Sequence, residues 1–296
     1  MINWATIWTE QYEAGNRFKQ SGDCASLWNS KERALEFLAM SKDNPERIEM
    51  VLSRLQITKE SRILDIGAGP GTLAIPFAER AASVTAVEPS PGMVAVMEEQ
   101  AREANLSNLT IVQKRWEDVN PESDLLGTFD IIVASYSLGM PDISAAVDKM
   151  HLVSNGQIWL FWFAGTTPWE QHMERLWPKI HNDSYQHGPK ADVLYNVLYQ
   201  KGIYPNMTVH EMKYQKKYQS VDHAVSEMRK QIGCSEECDS LIDPILLIRS
   251  ARMAIRSWRV ETPSGYVCGG TQSSFPKSDT DEKIVNMTDC KIRWKI

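Results

Sequence analysis

The spacing of apolar residues changes twice along this chain. Over residues 1–58 it is helical: Leu27, Ala34, Leu38 and Met40 mark one approximate face of SLWNSKERALEFLAM (26–40), and Ile48, Val51, Leu52 and Leu55 one face of PERIEMVLSRLQI, the i, i+3, i+4 recurrence of amphipathic helices. Then short β-branched and aromatic runs take over: RILDIG (62–67), SVTAVE (83–88), LTIVQK (109–114), FDIIVAS (129–135) and GQIWLFWF (156–163). Runs this continuously apolar belong to strands covered on both faces, as in a parallel sheet. Helical segments at 72–81, 92–104 and 142–152 lie between them. The alternation predicts the βαβ units of a doubly wound α/β sheet.

After Phe163 the rhythm breaks. TTPWEQHMERLWPKIHNDSYQHGPK (166–190) is rich in aromatic residues and histidine and is punctuated by Pro168, Pro178 and Pro189. A helix over ADVLYNVLYQKG, an extended segment MTVHEMKYQKKYQS and a long helical stretch over 222–259 follow. In that last stretch Arg249, Arg252, Arg256 and Arg259 form a stripe along one expected helix face, beside an apolar stripe of Ile248, Ala251, Ile255 and Trp258. A Gly/Ser/Asp-rich loop (269–282) leads to CKIRWKI, which alternates like an edge strand. No internal repeat or long linker argues for independent domains. The expected organisation is a helical cap over 1–58, a core over 59–165, and a region 166–296 supplying lid helices and the last two strands of the same sheet.

Composition narrows the classes. The 296 residues are 43% hydrophobic and 24% charged, with 32 basic against 38 acidic side chains and a net charge of −6. That balance gives no overall attraction to nucleic acid or anionic lipid. No apolar run nears the roughly 18 residues of a membrane span, and MINWATIWTEQYEAG lacks a basic and then apolar leader, so a soluble, cytoplasmic protein is expected. Five scattered cysteines (Cys24, Cys234, Cys238, Cys268 and Cys290) do not form a disulfide framework. Cys234 and Cys238 could be half of a metal site, but no second Cys/His pair follows at standard spacing, so no metal is expected.

The densest chemistry is in ILDIGAGPGTL (63–73), where Gly67, Gly69 and Gly71 follow a strand that ends in Asp65. A dinucleotide fingerprint reads G-x-G-x-x-G. Here the third glycine comes one residue early, and a carboxylate sits beside the loop, which a pyrophosphate at a helix N-terminus would not favour. A cofactor carrying an ammonium and a sulfonium would. The segment resembles motif I of the class I S-adenosylmethionine-dependent methyltransferases, an acidic residue followed by G-x-G-x-G. Glu88 ends the second strand, where that family places the acid that bonds both ribose hydroxyls. PSPGM (89–93) is similar to its turn beside the adenine, RWEDV (115–119) falls where the adenine edge is read, and ASYSL (134–138) falls at motif IV, facing sulfonium and substrate.

The resemblance is firm over roughly 60–165 and implies a seven-stranded, mostly parallel sheet with an antiparallel last strand, helices on both faces and helical lid insertions. It implies S-adenosylmethionine as cofactor, held by Asp65, Gly67, Gly69, Gly71, Glu88, Pro89, Ser90, Met93, Trp116, Glu117 and Ser135, with Asp118 or Glu117 alternatively capping a helix. Trp28 is the candidate closing aromatic, ahead of Tyr12 and Trp8. Tyr136 is the aromatic expected near the sulfonium, and His172, with His181 and His187 behind it, the candidate general base. Motif IV here lacks the Asn/Asp-Pro-Pro-aromatic of nucleobase amine enzymes, the cysteine of cytosine C5 enzymes, the metal-holding aspartate of catechol-type enzymes and the paired glutamates of protein arginine enzymes. A small-molecule acceptor is therefore expected. The alternatives are a protein or RNA side group, docked on the Arg stripe; a cofactor-binding regulatory subunit without transfer activity; and, more distantly, a nicotinamide oxidoreductase. Oligomeric state is not addressed by the sequence.

Overall fold

A computed structural model of the chain describes residues 2–17, 25–213, 220–242 and 254–262. Three helices come first: α1 (Trp4–Asn16), α2 (Lys31–Asp43) and α3 (Glu46–Arg54). The Asn3 side chain accepts from the Ala5 and Thr6 amides at the start of α1, and Ser30 caps α2 through the Arg33 amide, which satisfies N–H groups that a helix start leaves open. The alternating region follows as β1 (Arg62–Ile66), α4 (Ala74–Ala78), β2 (Ser83–Val87), α5 (Pro91–Glu103), β3 (Leu109–Val112), a short α6 (Pro121–Asp124), β4 (Phe129–Ser135), α7 (Ile143–Leu152) and β5 (Ser154–Phe163). Then come α8 (Pro168–His181), α9 (Ala191–Gln200), β6 (Asn206–Lys213), α10 (Val221–Ile232) and β7 (Ala254–Thr262).

The strands form one seven-stranded sheet in the order β3-β2-β1-β4-β5-β7-β6. β1 to β5 pair in parallel, and β7 runs antiparallel between β5 and β6. Alternation along the strands sorts their side chains into two layers. Leu64, Ile66, Ile132, Ala134, Ile158 and Leu160 face one layer with residues of α1, α7 and α9. Ile63, Ile131, Val133, Trp159 and Phe161 face the other, with Val51 of α3 and Phe77 of α4. Gly156 lets β5 approach β4 at an irregularity in their register, since a Cβ there would lie 1.9 Å from the Asp130 carbonyl oxygen. Among the described residues no helix is long and apolar enough to cross a membrane.

Three expectations are corrected. The long helix over 222–259 is α10 followed by a 3-10 turn (Glu236–Leu241), and Arg256 and Arg259 lie on β7. Arg256 and Arg259, three apart on a strand, therefore do not continue a helical stripe; Arg249 and Arg252, like CKIRWKI, lie outside the described residues. The pairing of β7 with both neighbours overrode a helical period that the alternating IRSWRV did not require. The helix expected at 72–81 contracts to α4, because Pro76 within it cannot donate to the preceding turn. Trp8 is no lid residue. It is fully buried, its indole N–H donates to the Met140 carbonyl at 2.8 Å, and its ring lies 6.1 Å from Trp162.

Trp8 thus fastens α1 to the segment after β4. Trp8→Ala is expected to lower the free energy of unfolding by about 3–5 kcal/mol, as measured by chemical denaturation; a loss below about 1 kcal/mol would show that α1 is not part of the core.

Candidate functional site

The order of the sheet reverses between β1 and β4: the chain winds outward from β1 through β2 to β3 on one side, and through β5 on the other. At such a switch point the loops leaving the two strands diverge and open a crevice at their carboxyl ends. The residues there come from β1 and its glycine loop, β2 and its turn, β4 and its turn, and the N-terminal helices.

The three glycines are required for different reasons. All have positive φ (Gly67 +71°, Gly69 +58°, Gly71 +88°), a region open to glycine and strained for other residues. A Cβ on Gly67 would sit 2.3 Å from Ser137 Cβ, and one on Gly71 would sit 2.9 Å from Met97 Cγ of α5. A Cβ on Gly69 would meet only Phe37 Cε1, at 4.0 Å. Gly67 and Gly71 therefore pack the loop into the protein, while the backbone at Gly69 faces open space.

Two buried carboxylates flank the loop. Glu88, just beyond β2, accepts the Gly69 amide on Oε2 and the Ser90 amide on Oε1, each at 2.9 Å. Burial raises its pKa, and those two hydrogen bonds oppose the rise. Asp65, on β1, is 2% exposed, and its Oδ2 has no hydrogen-bond partner among the described residues. Burial first, and the Glu88 charge second, push its pKa from the ordinary 3.8 to about 7, against the pull of Arg47. A buried carboxylate oxygen without a donor is costly, and a positively charged ligand group would relieve it.

The β4 side brings an aromatic wall. Ser135 ends the strand with its Oγ buried and without a hydrogen-bond partner among the described residues. Tyr136 follows at φ +58°, held by donation of its amide to the Phe161 carbonyl at 3.0 Å, and Ser137 Oγ donates to the Ile66 carbonyl. Left-handed backbone at a tyrosine is uncommon and needs such fixing. The Tyr136 ring lies 5.0 Å from Phe163, whose ring meets Trp169 edge-on at 5.4 Å. Above Tyr136, at 5.6 Å, stands the guanidinium of Arg47 from α3.

On the α5 side, Ser90 caps the helix through the Met93 amide and donates its hydroxyl to the Trp28 carbonyl. A Cβ on Gly92 would lie 2.5 Å from the Ser30 carbonyl oxygen, so the segment before α2 rests directly on α5. This brings Trp28 and Phe37, 5.2 Å apart and edge to face, against Met93. Trp28, Met93, Ser90, Glu88 and the glycine loop are thus brought together, with Pro89 half-buried between Glu88 and Ser90.

Two expected site residues sit differently. The Trp116 side chain is 2% exposed within the core, and its indole N–H donates to the Ala146 carbonyl at 3.1 Å. Glu117 is exposed, and its carbonyl accepts from Lys149 at 2.8 Å, as do those of Trp116 and Val119. His172 is on α8, one turn beyond Trp169, buried and with its pKa lowered by burial and the nearby Arg175 charge. Sequence reasoning missed Arg47, Phe37 and Phe163. The first two lie inside amphipathic helices, where they read as ordinary positions; Phe163 closes an apolar run and read as core.

A glycine loop thus lies between two buried carboxylates at the switch point of a doubly wound sheet. Known proteins resemble this chain over the same region. A family described as a methyltransferase domain matches residues 63–155. An uncharacterized protein of Haemophilus influenzae is 26% identical over 212 residues, covering 71% of this chain and 74% of that protein. The 23S rRNA (uracil(1939)-C(5))-methyltransferase RlmD of Pectobacterium atrosepticum is 37% identical over 75 residues, which is 25% of this chain and 17% of that enzyme. Among solved structures, YcgJ of Bacillus subtilis aligns with a TM-score of 0.53 at 16% identity, over 74% of this chain and 98% of that one. The BH2331 protein of Bacillus halodurans aligns with a TM-score of 0.52 at 12% identity, over 74% and 99%. Residues 63–155 are thus similar to a methyltransferase domain, on a fold that the chain shares with these two structures.

The Asp65 carboxyl makes a prediction about stability. An acid whose pKa is raised on folding binds a proton in the folded protein at pH values where the unfolded chain has lost it, so stability is complete below the unfolded pKa and falls as pH rises through the folded one. With the pKa lifted from 3.8 to about 7, ligand-free protein should lose stability between those values. Asp65→Asn should flatten that part of the profile and melt higher than the parent at pH 8. A variant that melts lower than its parent at pH 8 would contradict the assignment.

Proposed function

We propose that the chain is an S-adenosylmethionine-dependent methyltransferase acting on a small-molecule acceptor by in-line transfer. The observation that carries the cofactor assignment is the buried Asp65 Oδ2, without a hydrogen-bond partner among the described residues, beside an open glycine loop. That is a poor seat for a pyrophosphate and a suitable one for an ammonium. Glu88 fits the ribose of the same cofactor: each of its oxygens accepts one backbone amide and keeps a second lone pair for a hydroxyl donor. Ser90, Met93 and Trp28 supply the apolar and capping surfaces next to it. When bound, S-adenosylmethionine supplies a methyl group activated by a sulfonium.

The chain's own residues contribute placement. Tyr136, fixed by its backbone bond to Phe161, presents a ring at the end of β4 where an aromatic face stabilises nearby positive charge by roughly 0.5–2 kcal/mol. With Phe163 and Trp169 it forms a wall against which a flat or apolar acceptor can be held and water excluded. Positioning of this kind can supply about 7–11 kcal/mol of a barrier. His172, on α8 beyond that wall, is the candidate base for an acceptor that must lose a proton, and burial with the nearby Arg175 charge favours its neutral form.

Support for a small acceptor is the net charge of −6, together with the placement of Arg256 and Arg259 on a strand and not along one helix face. The RNA reading draws on RlmD, whose match is confined to 17% of that enzyme. Labelled methyl transfer from S-adenosylmethionine into a cell extract, followed by separation by size, distinguishes them. The expected result is label in the small-molecule fraction, unaffected by raised salt; label on RNA or protein, lost at high salt as phosphate contacts are screened, would overturn the acceptor class. Glu88→Ala should weaken cofactor binding by about 1–3 kcal/mol, and unchanged affinity would remove Glu88 from the ribose site.

A further inference from the structure

The aromatic wall beyond β4 carries two cations, and they are held differently. The rings of Tyr136, Phe163 and Trp169 follow one another at 5.0 and 5.4 Å. Lys190 Nζ lies 5.6 Å from the centre of the Phe163 ring, and the Arg47 guanidinium lies 5.6 Å from that of Tyr136. Lys190 is paired with Glu170, which also accepts the amide and the hydroxyl of Thr167, each at 2.8 Å. That pair ties the start of α9 to α8. The half-buried Arg47 side chain, from the first turn of α3, makes no ion pair or hydrogen bond with the described residues. Stacking on a ring uses the face of a guanidinium and leaves the donors at its edge for another partner. The residue before Tyr136 adds a second unused donor. Ser135 alternates with Ile131 and Val133, so it faces the layer covered by Ile48 and Val51 of α3, and its buried Oγ has no partner among the described residues.

A guanidinium taken partly out of water needs an anion. Lys190 has its anion in Glu170, and the cofactor reading above gives Asp65 an ammonium, so the Arg47 charge is left for the acceptor. We infer that the acceptor is a small planar carboxylic acid, its carboxylate taken by the Arg47 guanidinium and its flat body lying along Phe163 and Trp169. The class rests on the small-molecule reading above and narrows it. A carboxylate matches the fork of an arginine through two parallel hydrogen bonds. One cation without a partner suits one negative charge, whereas a phosphate brings nearly two. A planar body suits the wall because aromatic rings attract one another edge-on or offset. The Tyr136 ring holds the guanidinium in place before the acceptor arrives, so less side-chain freedom is lost on binding. Arg47 thereby determines specificity and takes no part in moving the methyl group.

Fractionating the acceptor before the reaction tests the inference. The small-molecule part of a cell extract is passed over an anion exchanger at about pH 8. The retained material is released first at about pH 3, below the usual carboxyl range, and then by salt. Each pool is incubated with the protein and labelled S-adenosylmethionine. The expected result is label from the pool released at about pH 3. Label from the unretained pool, or from the pool released only by salt, overturns the acceptor class. No label from any pool would instead remove the transfer reading on which the inference rests. With the active pool as substrate, Arg47→Met should raise the apparent KM about 10–100-fold, as for loss of a charge-assisted bidentate contact, with kcat within about twofold of the parent. Arg47→Lys should fall between, keeping the charge and losing the fork. Calorimetric titration with S-adenosylhomocysteine should give the parent's affinity in both variants, which also shows that they fold. A fall in that affinity, or an unchanged KM, overturns the assignment of Arg47 to the acceptor.

Discussion

Asp65 and Glu88 stand near the carboxyl ends of two neighbouring parallel strands, with their side chains out of water, and much of the site follows from how each is compensated. Like charges brought together in a poorly solvated place raise each other's pKa. Glu88 is held by two backbone amides, one from the glycine loop and one from the turn into α5. That pair of bonds ties loop to turn and shapes the ridge between them. Asp65 receives no such donor on Oδ2 among the described residues, and the Arg47 charge only partly offsets its burial. The fold thus keeps one acid satisfied as architecture and leaves the other dependent on what binds. An unsatisfied buried group in an otherwise well-packed core is a common mark of a functional position.

The elements around these carboxylates act as a frame. β1 and β4 diverge at the switch point, Gly67 and Gly71 seat the loop against Ser137 and Met97, and Gly92 allows the segment before α2 to lie on α5. That contact carries Trp28 and Phe37 to the crevice, although they are distant in sequence from the sheet. Tyr136, turned by its left-handed backbone, places an aromatic face on the opposite side. The glycine loop and the two carboxylates thus come from the parallel core, whose geometry is set by regular pairing. The aromatic wall of Phe163 and Trp169 comes from the end of β5 and from α8, where the pattern is this chain's own.

Much of the core was legible in the sequence because its signals are redundant. Five apolar runs alternated with helical segments, the glycines had to adopt positive φ, and Ser90-Pro91 is a strong helix start that the structure realises. Thr167-Pro168 with Glu170 is equally strong: it forms a capping box for α8, but the prolines around it suggested only irregularity. The misreadings arose where tertiary contacts decide. IRSWRV satisfies both a helical and an alternating period, and only the two neighbouring strands select one. The Trp116 indole was expected at the adenine edge by position in the chain, and the hydrogen bond to Ala146 turns it inward. Arg47 was invisible because a lone arginine in an amphipathic helix reads as a solvated flank; nothing local says that it lies over the Tyr136 ring.

Asp65 is the point at which the account is most exposed to test. Its carboxyl, with a pKa raised to about 7, is partly protonated near neutral pH, and a ligand ammonium would favour the ionised form. Titration of the protein with S-adenosylhomocysteine at pH 7, in buffers of differing ionisation enthalpy, measures the protons exchanged on binding. The account predicts release of protons on binding, absent in Asp65→Asn. Binding with no proton release, or release that persists in the variant, would contradict the placement of the cofactor's ammonium at Asp65.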